Sequence, residues 1–262
     1  MLKPIAALPE TSKAAVRFVL ADIDDTLTTD GRLTAAAYDA LERLSMRYRV
    51  IPVTGRPAGW CDMIVRFWPV DAVIGENGAF YFRYDHSKRA LTRRCCISDD
   101  TRAASKRRLD ALANSVLAAV PGARIAADQP YRIADLAIDY GEDTGPLPSA
   151  DVERITALMR QAGATTKVSS IHVNAWFGDW DKLTMARRLF DEVYQINLDR
   201  DRDTVIFIGD SPNDEPMFDF FPLSVGVANV TPFLPGMAAR PAYITTAVSG
   251  AGFVEFAEML LS

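Results

Sequence analysis

Asp22 and Asp24 stand one residue apart in Asp22-Ile23-Asp24-Asp25-Thr26, directly after the apolar run Val16-Arg17-Phe18-Val19-Leu20-Ala21. Two carboxylates leaving a buried strand together repel each other and can share a divalent cation. Taken alone, the segment could equally form a turn or cap a helix, as Asp and Thr commonly do. A second acidic strand end weighs against that reading: Gly209-Asp210-Ser211-Pro212-Asn213-Asp214 follows Thr204-Val205-Ile206-Phe207-Ile208. Magnesium takes oxygen ligands and needs only a couple of carboxylates beside water and a phosphate oxygen. Asp22, Asp24 and Asp210 are the candidate metal set.

Two further segments could contribute to phosphate chemistry. Thr54-Gly55-Arg56 follows the run Val50-Ile51-Pro52-Val53 and offers a hydroxyl and backbone N–H groups at a bend, the donor type that holds phosphate oxygens. A Thr-Gly pair also commonly just starts a turn. Lys182 opens an expected helix, where a cation opposes the helix dipole, so either it pairs locally with Asp179 or Asp181 or it serves a distant site.

The elements that must position these groups follow from the apolar pattern. All three runs read as strands that stop at a polar residue. Between the first two, Ala37, Leu41, Leu44 and Tyr48 share one face of a helix over 34–48, giving a strand-helix-strand unit with parallel strands. Parallel sheets gather ligands beyond the carboxyl ends of their strands, so Asp22, Thr54 and Asp210 should converge. A helix over 58–68 and a strand over 71–74 follow, then a turn at Gly75-Glu76-Asn77-Gly78. From about Tyr84 to Asp179 the pattern suggests a separate αβ module with helices over 100–120 and 149–162, a strand over 134–139, and strands near Thr166 and Ile171. A helix over 182–194 then resumes the core, which ends in a helix around 253–261.

Composition narrows the partners. Lys and Arg number 29 against 34 Asp and Glu, a net charge of −5, so no strong positive field exists to attract nucleic acid or an anionic membrane. Three cysteines, two of them adjacent at Cys95 and Cys96, make neither a disulfide framework nor a zinc spacing, and a reducing cytoplasm is the expected location. The first residues lack a signal-peptide stretch, and no run reaches membrane-spanning length.

Together, Asp22-Ile23-Asp24-Asp25-Thr26-Leu27-Thr28, Thr54-Gly55-Arg56, Lys182 and Gly209-Asp210-Ser211-Pro212-Asn213-Asp214 resemble the four ordered motifs of the haloacid dehalogenase superfamily, and the resemblance spans nearly the whole chain. It implies a Rossmann-like parallel-sheet core with Asp22 as nucleophile and Asp24 as general acid and base. Thr54, Gly55 and Lys182 would bind phosphate, and Asp22, the Asp24 carbonyl and Asp210 would ligate Mg2+. Asn213 and Asp214 would orient ligands or metal-bound water. Thr54 follows Asp22 by only 32 positions, which leaves no room for a cap domain there, whereas 128 positions separate Thr54 from Lys182. The resemblance is therefore to subclass II, type B, which includes sucrose-phosphate, trehalose-phosphate and mannosyl-phosphoglycerate phosphatases, Cof-like sugar phosphatases and phosphomannomutases. The expected division is core 1–84, inserted cap 85–179 and core 180–262. Asp25 departs from the usual Gly of the first motif, and Trp176-Phe177-Gly178-Asp179-Trp180-Asp181 replaces the short linker before the lysine of Cof-like members.

These readings imply a phosphoric monoester hydrolase acting on a small phosphorylated metabolite as a monomer or weak homo-oligomer. A phosphomannomutase-like mutase and a non-catalytic binding protein are the alternatives. On the substrate side, Arg56 and Asn77 are candidates, as are His172 and Asn174, which share one face of the Ile171-His172-Val173-Asn174 strand. Trp176, Phe177 and Trp180 could stack on a sugar, although aromatics at a domain junction more often pack.

Overall fold

The computed structural model describes residues 2–169 and 171–262. The three apolar runs become Phe18–Ala21, Arg49–Pro52 and Val205–Gly209, neighbours in a six-stranded parallel sheet. Its order is Lys3–Pro4, Tyr243–Ile244, Leu223–Gly226, Val205–Gly209, Phe18–Ala21, Arg49–Pro52. Both faces are covered, which is why the strands read as continuous apolar runs. Val19, Ala21, Ile206 and Ile208 pack into one cluster with the helices Ala35–Ser45 and Ser249–Leu261. Phe18, Leu20, Val205 and Phe207 pack into the other with the helix Lys182–Leu189.

Local signals set the helix starts. The Thr34 hydroxyl accepts the Ala37 N–H at 3.2 Å and caps Ala35–Ser45, whose residues Ala37, Leu41 and Leu44 are buried with Tyr48, as the periodicity requires. The helix expected over 182–194 is α-helical only to Leu189. It widens to a π turn over Phe190–Tyr194, which sets both rings against Phe18.

The cap has a core of its own. Its antiparallel sheet runs Arg124–Ile125, Leu136–Asp139, His172–Trp176, Thr165–Val168. Leu109, Leu112 and Val116 of helix Asp99–Ala119 and Ile155 and Met159 of helix Ser149–Gln161 pack on one face of that sheet. The opposite face carries His172, Asn174 and Trp176. The start of the module expected from Tyr84 belongs instead to a hairpin, Phe80–Asp85 paired with Ala90–Cys95, in one sheet with Val73–Gly75. Phe80 and Phe82 belong to a core cluster, so the expected boundary at 85 falls inside a hairpin that packs on the core.

Between Val73–Gly75 and the hairpin, Glu76, Asn77 and Gly78 take three successive positive φ angles of 44°, 54° and 102°. At Gly78 the reason is contact: a Cβ there would lie 2.0 Å from the Asp181 carbonyl oxygen. The loop thus presses on the residue that caps the Lys182 helix. Gly78→Ala should cost about 2 kcal/mol or more, combining left-handed strain with backbone overlap. Chemical denaturation would measure it, and an unchanged midpoint would contradict the assignment.

Candidate active site

The register of the central strands brings the acidic residues together. Ala21 pairs with Ile208, the Asp22 N–H donates to the Ile208 carbonyl at 2.9 Å, and Asp210 leaves the neighbouring strand at the same edge. Lys182 reaches this edge from its helix. Its ammonium donates to Asp22 Oδ1 at 2.6 Å and Asp214 Oδ1 at 2.7 Å, not to Asp179 or Asp181. All three residues are almost fully buried. The other Asp214 oxygen accepts the Asp210 N–H at 3.1 Å and approaches the Ser211 N–H at 3.4 Å. Gly209 is necessary for this turn, since a Cβ there would stand 2.3 Å from Asp214 Oδ2. Asn213 accepts the Ser211 hydroxyl at 2.8 Å, and Asn229 donates to Asp210 at 3.2 Å.

Charge does not balance in this pocket. Burial pushes the Asp22 carboxyl up to about 8; Lys182 pulls it down, while Asp214 and Asp24 raise it further. Asp210 is likewise raised, by burial and then by Asp22 and Asp214. Lys182 stays charged: burial opposes its charge, but Asp214 and Asp22 hold its pKa above the ordinary value. One ammonium faces three carboxylates, and ligand oxygens of Asp22, Asp210 and Asp214 lie within 4.8 Å of one another. A divalent cation fits that deficit and the oxygen-only donor set. Asp214 already uses both oxygens in hydrogen bonds, which leaves Asp22 and Asp210 as the carboxylates best placed to ligate.

The Asp24 carboxylate is not part of that group. It turns to Arg56, which donates from Nε at 2.9 and 3.0 Å and from Nη2 at 2.8 Å, so only the Asp24 carbonyl remains for a metal. Arg56 was a candidate for substrate, but its guanidinium is taken on its other side by Glu142 of the cap, at 2.7 and 3.1 Å. Its face lies 4.4 Å from the centre of the Trp60 ring. Asp25 has φ 57°, the left-handed conformation that the more usual Gly would adopt and that Asp tolerates.

The loop at Thr54 is held from three sides. Thr54 is fully buried; its N–H bonds to the Ile74 carbonyl, and its hydroxyl accepts the Arg56 N–H at 3.0 Å. Of the N–H groups expected to be exposed, two are therefore occupied, and the Gly55 N–H has no acceptor among the described residues. Asn77 donates from its backbone to the Thr54 carbonyl and packs its side chain against Gly55, with Nδ2 buried and unpaired among the described residues. Arg132 of the cap donates to the Gly55 carbonyl at 2.9 Å and is itself enclosed by Asp128 and Asp135.

Cap and core close over a cavity of about 20 Å³, walled by Asp22, Asp24, Arg56, His172, Asn174 and Asp210 among others. His172 and Asn174, the substrate candidates on the cap strand, line this cavity together with the acids. The Asn174 amide is committed to Asp135 at 2.9 Å, and His172 Nε2 lies 3.0 Å from Glu142. Trp176 and Trp180 stack at 6.1 Å and are buried, so they pack and do not line the cavity. Glu142, Arg132 and Glu76 were not legible as site residues. Glu76 is fully buried and accepts N–H groups from Ala58 in the core and from Ile133, Ala134 and Asp135 in the cap at 2.7–3.2 Å. The Glu76-Asn77-Gly78 turn was a sequence signal for Glu76 alone.

Lys182→Met leaves Asp22 and Asp214 buried without their counter-charge. We expect a loss of about 3–5 kcal/mol in unfolding free energy, the usual cost of breaking a buried pair; a change near zero by denaturation would show that the carboxylates do not rely on it.

Known proteins can be set beside this geometry. A family of haloacid dehalogenase-like hydrolases matches residues 148–250. No curated protein matches the sequence significantly. Among solved structures, a Thermoplasma acidophilum protein is similar with a TM-score of 0.69 at 19% identity, over 94% of this chain and 99% of that one. A putative HAD/COF-like hydrolase from Plasmodium vivax gives 0.67 at 17% identity, over 95% and 98%. The Synechocystis sucrose-phosphatase, solved with sucrose and phosphate, gives 0.63 at 14% identity, over 93% and 97%. The matched segment is thus similar to haloacid dehalogenase-like hydrolases, and the solved structures share this chain's fold over nearly its whole length.

Proposed function

We propose that the protein is a magnesium-dependent phosphatase that hydrolyses small phosphate monoesters, sugar phosphates or related phosphorylated metabolites, through a phosphoryl group carried on Asp22. The observation that carries this reading is the buried Asp22–Lys182–Asp214 chain beside Asp210, next to the Thr54–Gly55 bend. Asp22 attacks phosphorus in line with the ester oxygen, and Asp24 gives its proton to that oxygen as the bond breaks. Asp24 then takes a proton from the water that hydrolyses the aspartyl-phosphate. Lys182, the Thr54 hydroxyl and the Gly55 N–H offset charge on the phosphoryl oxygens. A magnesium ion held by Asp22, Asp210 and the Asp24 carbonyl would supply the further positive charge that lets two anions meet. Asp214 orients Lys182, and Asn213 lies in the cavity wall beside Asp210.

The cap supports a small-molecule substrate. His172 and Asn174 line the leaving-group side, and the small enclosed space excludes water and requires the cap to open for entry. The partner is then a small metabolite. Three cysteines without disulfides fit a reducing cytoplasm.

Release of inorganic phosphate from a panel of phosphate esters with magnesium tests the reading and separates a phosphatase from a mutase. Asp22→Asn should lower turnover by at least about 10³-fold while the protein stays folded; retained release would remove Asp22 as nucleophile. Magnesium alone should raise the melting temperature, by the equivalent of about 2.7 kcal/mol at a hundred times its Kd. Asp210→Asn should abolish most of that rise, and an equal rise in both proteins would place the ion elsewhere.

A further inference from the structure

Glu142 reaches Arg56, the partner of Asp24, from the cap on a loop built to present it. The loop follows the strand Leu136–Asp139, and the Asp139 carboxylate accepts the N–H groups of Gly141, Glu142 and Asp143 at 2.8–2.9 Å and the Thr144 hydroxyl at 3.2 Å. So fixed, Glu142 meets Arg56 through both oxygens, while Arg56 grips Asp24 through Nε and Nη2. The Arg56 side chain is only 4% exposed, and its planar fork, packed on Trp60, cannot turn toward one carboxylate without leaving the other. His172 closes on the same Glu142 oxygen that Arg56 Nη1 reaches.

We propose that Glu142 is a positioning residue: with the cap closed it fixes Arg56, and through Arg56 it aims the Asp24 carboxyl at the leaving oxygen. The proposal rests on the phosphatase reading above. In the step it serves, the Asp22–phosphorus bond forms and the phosphorus–ester oxygen bond breaks; the bonding pair stays on the ester oxygen, which takes the proton of Asp24. Glu142 exchanges no proton. Its contact spans cap and core, so Asp24 is aimed only once the cap has closed.

A simple latch that holds the cap shut would act on every substrate alike. In the step that forms the aspartyl-phosphate, a residue that aims the acid acts only where the leaving group needs a proton. Alkyl phosphates such as hexose phosphates leave as strongly basic alkoxides, whereas p-nitrophenyl phosphate leaves as a phenolate that departs without one. The experiment compares kcat/KM, which reports only the steps up to departure of the alcohol or phenolate, for the full-length wild type, Glu142→Ala and Glu142→Gln with magnesium on p-nitrophenyl phosphate and on the alkyl phosphates that the wild type hydrolyses. Glu142→Ala should lose about 30-fold or more on alkyl esters, within the 10²–10⁴-fold that general acid catalysis contributes, and no more than about threefold on the aryl ester. Glu142→Gln, which retains an oxygen for Arg56, should recover part of the loss. Adding Glu142→Ala to Asp24→Asn should cost little more than Asp24→Asn alone, since the two act as one unit. Equal losses on both esters, no loss on alkyl esters, or additive losses in the double variant would overturn the proposal, and should Glu142→Ala not fold, the same ester comparison on Glu142→Gln decides. A wild type that hydrolyses neither ester type would instead defeat the phosphatase reading itself.

Discussion

The ammonium of Lys182, held between Asp22 and Asp214, is the contact on which the rest of the structure depends. Burying two carboxylates is expensive unless a cation accompanies them, and here the cation comes 160 positions after Asp22. The sheet register that sets Asp22 beside Asp210, the glycine that admits Asp214 beneath the turn, and the capped helix that starts at Lys182 all serve this arrangement. Gly78, pressed against Asp181, ties the same helix to the loop leading into the core hairpin.

A second polar layer joins cap to core. Arg132 and Glu142 reach from the cap to the Gly55 carbonyl and to Arg56, and Glu76 reaches from the core to three consecutive cap N–H groups. The Arg132 and Glu142 contacts hold the Thr54–Gly55–Arg56 bend, whose Gly55 and Arg56 line the cavity. The geometry of the bend is consequently a joint property of two modules that have separate hydrophobic cores.

Much of this was readable because strand ends announce themselves. Asp22, Thr54 and Asp210 each follow a continuous apolar run, and a run buried on both faces leaves little doubt about where the chain stops being a strand. The helix face of Ala37, Leu41 and Leu44 was equally plain. Lys182 was ambiguous locally, since its pairing depends on residues far away in sequence. Glu142 and Arg132 were illegible for the same reason: a charged residue on a polar cap loop looks solvated until the fold sets it against a partner. The hairpin over 80–95 misled because its exposed Arg93 and Arg94 resemble a surface module, while Phe80 and Phe82, which join it to the core, lie on the paired strand. Asp25 was visible as a departure from the family pattern, and only its backbone angle explains why the departure is tolerated.

The Glu76 junction also bears on how the two modules could diverge. Glu76 reads only the backbone N–H groups of Ile133, Ala134 and Asp135, so their side chains are invisible to it. Drift at the partly buried Ile133 leaves the joint intact as long as no proline removes a donor, whereas Ala134 is packed in the core. The cap can therefore change its binding wall while its attachment persists, because the attachment is written in main chain, which every non-proline sequence supplies alike.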